Sequence, residues 1–387
     1  MERFHIVLAP NAFKGSMTAI EATRAMEAGA LRVGRLPNGT PITVQGVPLA
    51  DGGDGTLTTL VEATGGTVFR AVVSDPLGRP IEARWGRLGG ERSDTAVIEM
   101  AEANGLRLLK PEEYAPRVTS TFGTGELMRM AVEAGCKRLL IGIGGSATND
   151  GGAGMVQALG GRLLDSAGRE LGHGGGALHD LARIDMSGWW LPKGIRVMVA
   201  CDVDNPLCGS QGAAAIYGPQ KGATPEDVSY LNRGLEHFAE VMGRDLGMWV
   251  AERAGAGAAG GLGAGLMAFC GADVRSGIAL VMEVVGFEEV LKGADLVLTG
   301  EGRIDGQTGR GKVIAGVARF AQKHGVPVIA IAGSIEAGAE EALREIGLTA
   351  TFSLLESPCS LKEAMQEAQG LMERAVVRIL HTVGAFG

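Results

Sequence analysis

Apolar residues along the chain gather in short runs, and most runs pass through glycines and polar residues into a stretch with helical spacing. Residues 4–9 form the first run, which is too short for a buried helix and reads as a core strand. Thr18, with Glu21 three positions on, forms a capping box that starts a helix reaching about residue 31. Residues 42–47 repeat the strand, and a second helix continues to Glu62. Past Gly65 and Gly66 the spacing changes. Residues 68–73, 81–85 and 96–100 read as strands with little helix between them, and Asp75-Pro76-Leu77-Gly78 reads as a hairpin turn. A strand over 139–141 and a helix over 155–159 flank a long polar loop. Residues 195–200 are another strand, and Thr224 followed by Pro225 is a helix start. From Ala294 onward strand and helix alternate again, with strands over 296–299, 328–332 and 351–354 and an amphipathic helix over 362–381.

The two ends of the chain therefore share one texture, and the middle has another. A length of 387 residues also exceeds one ordinary core. Together these predict a discontinuous α/β domain, residues 1–66 plus 291–387, that holds an inserted α/β domain, residues 67–290, with a ligand cleft between them.

Composition narrows the function. The 63 glycines have no collagen period and lie between apolar runs, so they mark tight loops rather than low complexity. A net charge of −8, no basic stripe and only 4% aromatics argue against nucleic acid and anionic membrane surfaces as partners. The chain starts directly with a strand and has no apolar run of membrane-spanning length. Its five cysteines are dispersed without zinc-site spacing, which predicts reduced thiols in a cytoplasmic protein.

The strand-end loops carry the candidate chemistry. The strand over 139–141 runs into a loop containing Gly144, Gly145, Ser146, Asn149 and Asp150. Its glycines let backbone N–H groups approach an anion ahead of a helix N-terminus, and its carboxylate is placed for a metal or a hydroxyl. It reads equally as a capped strand-to-helix turn. Lys14 sits where ligands bind in open α/β sheets and reads equally as a solvated loop lysine. Asp51 and Asp54, at the next strand end, suit Mg2+ or a hydroxyl, while Asp54 and Thr56 also suit capping. Thr119 to Thr124 offer hydroxyls either to a substrate or to the helix they open. Asp202 and Asp204 place two like charges in D-x-D, which calls for a cation unless they form a polar turn before Pro206. Lys221 is a candidate phosphate contact. Residues 255–265, with Gly260 and Gly261, suit a nucleotide-phosphate loop or close helix packing. Glu301, Arg303, Asp305 and Gln307 crowd one further loop, more chemistry than a turn requires.

Two motifs almost match. Residues 142–147 fit G-x-G-x-x-A with Asp165 about twenty positions on, which leaves open a dinucleotide-dependent oxidoreductase acting on a small hydroxy acid. Thr148 to Gly152 interrupt that pattern where its helix should begin. Residues 306–312 fit G-x-x-x-x-G-K, but Val313 stands where a phosphate loop needs a hydroxyl.

Seven longer segments, in order, carry a resemblance: APNAFKGS (9–16), ADGGDGT (50–56), TFGTGEL (121–127), IGIGGSATNDGGAGM (141–155), ACDVDNPLCG (200–209), GPQKGATP (218–225) and TGEGRIDGQT (299–308). The sequence resembles glycerate kinases of the bacterial glyoxylate- and sugar-acid-degradation type, essentially end to end. The resemblance implies a flavodoxin-like (Rossmann-like) three-layer domain holding a second α/β domain, with the active site between them. It implies ATP-dependent phosphorylation of D-glycerate with Mg2+. The product it implies is 2-phospho-D-glycerate, although some relatives are assigned the 3-phosphate. Many relatives have Asp and Ser where this chain has Asn11 and Ala12, and Leu-His where it has Gly309 and Arg310.

Under that resemblance each candidate takes a role. Asp202 and Asp204 hold Mg2+, with Asp51 and Asp54 as the alternative pair. Gly144, Gly145, Ser146, Asn149, Asp150, Lys221, Gly260 and Gly261 receive the nucleotide. Asn11, Asp51, Asp54, Thr124 and Arg303 hold glycerate, and Lys14 and Arg303 offset its charge or that of the migrating phosphoryl group. Asp305 takes the hydroxyl proton, with Glu301 as its rival. A non-catalytic anion-binding regulator is the third class of function, and the oligomeric state stays open between monomer and homodimer.

Overall fold

The computed structural model describes residues 3–306, 308 and 312–385, so Gln307, Gly309, Arg310 and Gly311 lie outside the described residues. In chain order the strands are β1 (Phe4–Pro10), β2 (Ile42–Gly46), β3 (Thr67–Ser74), β4 (Pro80–Arg87), β5 (Thr95–Glu99), β6 (Arg138–Gly142), β7 (Arg162–Leu164), β8 (Arg183–Asp185), β9 (Arg196–Ala200), β10 (Asp273–Arg275), β11 (Leu296–Ile304), β12 (Val328–Ile335) and β13 (Ala350–Ser353). The chain divides into two compact units, Met1–Asp51 with Ile278–Gly387, and Gly52–Gly277. The change of texture in the sequence puts these boundaries later, near 66 and 291. The helix Thr56–Thr64 goes with the second unit because its Leu57 N–H donates to Glu99 Oε1 of β5 at 2.7 Å. Val61 of the same helix also packs where a side chain on Gly86 of β4 would fall.

In the first unit five parallel strands lie in the order β2-β1-β11-β12-β13. Numbered within the unit this is 2-1-3-4-5, the flavodoxin-like order, whose direction of winding reverses between β1 and β11. Ile6, Leu8, Leu296, Leu298, Ile329 and Ile331 pack with the helices Ala19–Val33 and Ala368–Gly384 on one face. Alternate positions of the same strands face the other way, where the helix Val313–Lys323 packs. The capping box forms as expected: Glu21 N–H donates to Thr18 Oγ1 at 3.1 Å, and Thr18 N–H to Glu21 Oε2 at 2.8 Å. The C-terminal helix is two helices, Leu361–Gln366 and Ala368–Gly384. Glu367 between them relaxes to φ −95° and ψ 7°, a break with no proline or glycine to signal it.

The second unit has six strands in the order β10-β9-β6-β5-β4-β3. The first four are parallel, and β4 and β3 add antiparallel to that sheet. The hairpin turn holds because Asp75 Oδ1 accepts from the Leu77 and Arg79 N–H groups, each at 2.8 Å. Ile98, Leu139, Ile141, Val197 and Val199 pack with Leu127, Met155 and Phe238 of the helices Phe122–Glu133, Ala153–Ala158 and Pro225–Leu246. The helix Thr56–Thr64 packs on β3, β4 and β5. Three-residue strands such as β7, β8 and β10 are too short to show a period, so the sequence pattern does not reveal them. Among the described residues no helix is long and apolar enough to cross a membrane. All five cysteines are free.

Candidate active site

In the first unit the candidates gather at the carboxyl ends of β1, β2 and β11, at the switch point of the sheet. Hydrogen bonds carry the strand pairing past the strands themselves. Asn11 N–H donates to Gly300 O at 2.9 Å, and Leu49 N–H to Pro10 O at 2.9 Å. A Cβ on Gly300 would fall 2.4 Å from the Ile331 carbonyl of β12 and 3.0 Å from the tip of the Phe13 ring, so glycine here keeps β12 close and leaves space for Phe13 of the β1 loop. The Asn11 side chain accepts from Ala12 N–H at 2.8 Å and closes a local turn. Lys14 on that loop is exposed, and Asp51 is half-buried.

The β11 turn is a network. Glu301 is only 6% exposed and accepts from Thr308 Oγ1 at 2.8 Å. Thr308 Oγ1 in turn accepts from Asp305 N–H at 3.0 Å. Burial raises the Glu301 carboxyl above the usual range, and the charges of Asp51 and Asp305 add to that; the Thr308 hydroxyl and Lys312 oppose it. Arg303 Nε and Lys312 Nζ each lie 4.0 Å from an Asp305 oxygen, and Arg303 Nη2 donates to Glu336 at 3.4 Å. Thus Asn11, Lys14, Asp51, Glu301, Arg303 and Asp305 all belong to this unit, while Asp54 and Thr124 belong to the other.

In the second unit the glycine loop after β6 exposes Gly144 and Gly145 and buries Ser146 to Asp150. A Cβ on Gly145 would sit 3.7 Å from Asp54 Oδ1, which places Asp54 beside the exposed lip. Asp150 is fully buried and accepts from Thr121 N–H (2.8 Å), Thr121 Oγ1 (2.9 Å) and the N–H groups of Gly152 and Gly154 (3.1 Å each). Burial pushes its pKa up and those four donors pull it down. Asp150 therefore pins the loop to the start of two helices.

Lys221 is 1% exposed and holds the loop from beneath, its Nζ donating to Ser146 Oγ at 2.7 Å and Thr148 O at 2.6 Å. Burial brings its pKa down to about 7 against the pull of Asp150. Gly260 and Gly261 are buried too. Gly260 (φ +68°) lies against the backbone of Thr148 and Asn149, with no space for a Cβ, and its carbonyl accepts from Gly151 N–H at 3.0 Å. They shape the loop from behind rather than line its exposed lip. Asn149 is buried with both side-chain polar atoms unpartnered in the structure. Thr124 donates through N–H and hydroxyl to Asn104 Oδ1 at 2.7 Å each, inside the unit. The helix after the loop starts only at Ala153, beyond Thr148 to Gly152, so the tight dinucleotide turn of G-x-G-x-x-A does not form.

Asp202 and Asp204 come after β9, the strand next to β6, and both are exposed. Asp202 Oδ1 accepts from Ser276 Oγ and Gly277 N–H at 2.9 Å each. Among the described residues no group of three or more His, Cys, Asp or Glu is placed to hold a metal. Mg2+ in phosphoryl-transfer sites needs only one or two carboxylates beside phosphate and water, so the exposed pair fits that donor set.

Sequence reasoning missed three contributors. Glu99 ends β5 buried and reaches the helix Thr56–Thr64; burial raises its carboxyl to about 7. Thr308 and Lys312 complete the β11 turn. The near-match at 306–312 was the one signal in the sequence that covered Thr308 and Lys312.

A glycine-lipped loop at a strand end of one sheet, and acids beside cations at the switch point of another, are features compatible with a phosphotransferase. The chain belongs to the glycerate kinase family, whose model matches residues 6–384. It is 49% identical over 370 residues to the glycerate kinase of Bacillus subtilis strain 168, covering 95% of each chain. It is 46% identical over 383 residues to the glycerate 2-kinase of Escherichia coli K12, covering 98% of this chain and 97% of that one. A crystal structure from Salmonella typhimurium LT2, provisionally named glycerate kinase 2, matches with a TM-score of 0.88 at 44% identity over 99% of both chains.

Proposed function

We propose that the protein transfers the γ-phosphoryl group of ATP to the 2-hydroxyl of D-glycerate, giving 2-phospho-D-glycerate and ADP. The family membership supports the substrate pair, and the name of the Escherichia coli relative favours the 2-position. The observation that carries the chemistry is the β11 turn, where Asp305 stands between two cations beside a buried carboxyl.

In this reading the exposed fork of Arg303 binds the glycerate carboxylate and Lys14 offsets phosphoryl charge. Asp305 accepts the proton of the attacking hydroxyl as its oxygen bonds to phosphorus and the bond from phosphorus to the ADP oxygen breaks. The lip at Gly144 and Gly145 presents backbone to the nucleotide phosphates, held in shape by Ser146, Lys221, Asp150 and Gly260. Asp202 and Asp204 would hold Mg2+, which when bound neutralises charge on the phosphate oxygens. Asp305→Asn removes the proton acceptor and keeps the size. It is expected to lower glycerate-dependent ADP release by roughly 10²–10⁴-fold with ATP affinity nearly unchanged. Near-normal turnover would take Asp305 out of this role.

A further inference from the structure

We propose that Thr308 is a positioning residue for the transfer: its hydroxyl ties the Glu301 carboxylate to the backbone of Asp305 and so sets where the proton acceptor stands. This rests on the reading of Asp305 given above. Thr308 is fully buried. Its single hydroxyl oxygen does two things at once, donating to Glu301 Oε1 at 2.8 Å and accepting from Asp305 N–H at 3.0 Å. The amide of Thr308 donates back to Asp305 O at 3.0 Å, which closes the turn.

Arg303 and Lys312 approach Asp305 only at 4.0 Å, and both can swing on long side chains. Glu301 sits on β11, paired in register with Ala332 of β12, so it is a rigid post. The Thr308 hydroxyl bridges from that post to the backbone amide of Asp305. An error of about 1 Å in a reacting group costs on the order of 10²-fold in rate, so loosening this link lowers turnover without touching ATP or glycerate directly.

Thr308→Val keeps the shape and deletes the hydroxyl; Thr308→Ser keeps the hydroxyl. The expected result is a kcat lowered roughly 10- to 100-fold in Thr308→Val, with KM for ATP changed less than about twofold and most of the rate restored in Thr308→Ser. Glu301→Ala removes the post, so the double variant Glu301→Ala with Thr308→Val falls no further than the worse single variant. Melting temperatures of all variants are compared with wild type, and a Thr308→Val protein that is folded and as fast as wild type overturns the proposal. So do fully multiplying effects of the two substitutions, or a Thr308→Ser rate as low as that of Thr308→Val. If Asp305→Asn itself turns over normally, the reading of Asp305 fails instead; if Asp305→Asn is dead while Thr308→Val is normal, only the positioning role fails.

Discussion

Lys221 is an amine shut away from water under the glycine loop, with hydrogen bonds to Ser146 and Thr148 and the carboxylate of Asp150 nearby. With its pKa near 7 it is mostly neutral at pH 8. A polyphosphate on the lip above would favour the charged form and draw a proton in. Titration calorimetry of ATP binding at pH 8, in two buffers of different ionisation enthalpy, is expected to show uptake of a fraction of about one proton per ATP in wild type. Lys221→Met should show none. Equal uptake in both would remove Lys221 from the nucleotide's surroundings. The lysine was visible in the sequence as a phosphate candidate, but its burial was not, because the loop that covers it lies about seventy residues earlier in the chain.

At the scale of elements, Glu99 shows what a strand end can do for a helix far away in sequence. The helix Thr56–Thr64 has a glycine at its N-cap and no side-chain cap of its own, and Glu99 supplies the acceptor for Leu57 N–H. Its carboxyl is raised from 4.5 to about 7, so the stabilisation it gives is fully present below pH 4.5 and is lost as pH rises through 7. Glu99→Gln keeps an acceptor and removes the charge. Its unfolding free energy at pH 8 is expected to exceed wild type by up to about 3 kcal/mol, with the gap closing toward pH 4.5. Parallel stability curves for the two proteins across pH 4.5–8 would contradict that.

Local signals such as Thr18 with Glu21, Thr224 with Pro225, and the Asp75 turn were legible because each cap or turn is closed within five residues. The break at Glu367 and the cap from Glu99 depend on context that no local pattern carries. The same holds for the boundary at Asp51, since a helix reveals its amphipathic face in sequence but not the sheet it covers.

For the whole molecule, the flavodoxin-like order in the first unit is made by two distant segments of chain. β1 and β2 come from the first 51 residues and β11, β12 and β13 from the last 110, and they meet at β1 and β11. That meeting brings Lys14 and Arg303 onto neighbouring strand ends. The family was legible because its signature lies in strand-end loops, where chemistry restricts residue types most. The different settings of Asp305 and Glu301 were not legible, because burial and the Thr308 bridge separate two carboxylates that look alike in sequence. The central claim is the reaction itself, and phosphorus NMR of the purified protein with D-glycerate, ATP and Mg2+ tests it most directly. The account predicts growth of ADP and a 2-phospho-D-glycerate resonance in equal amounts. ATP left intact, or a 3-phospho-D-glycerate resonance in its place, would contradict it.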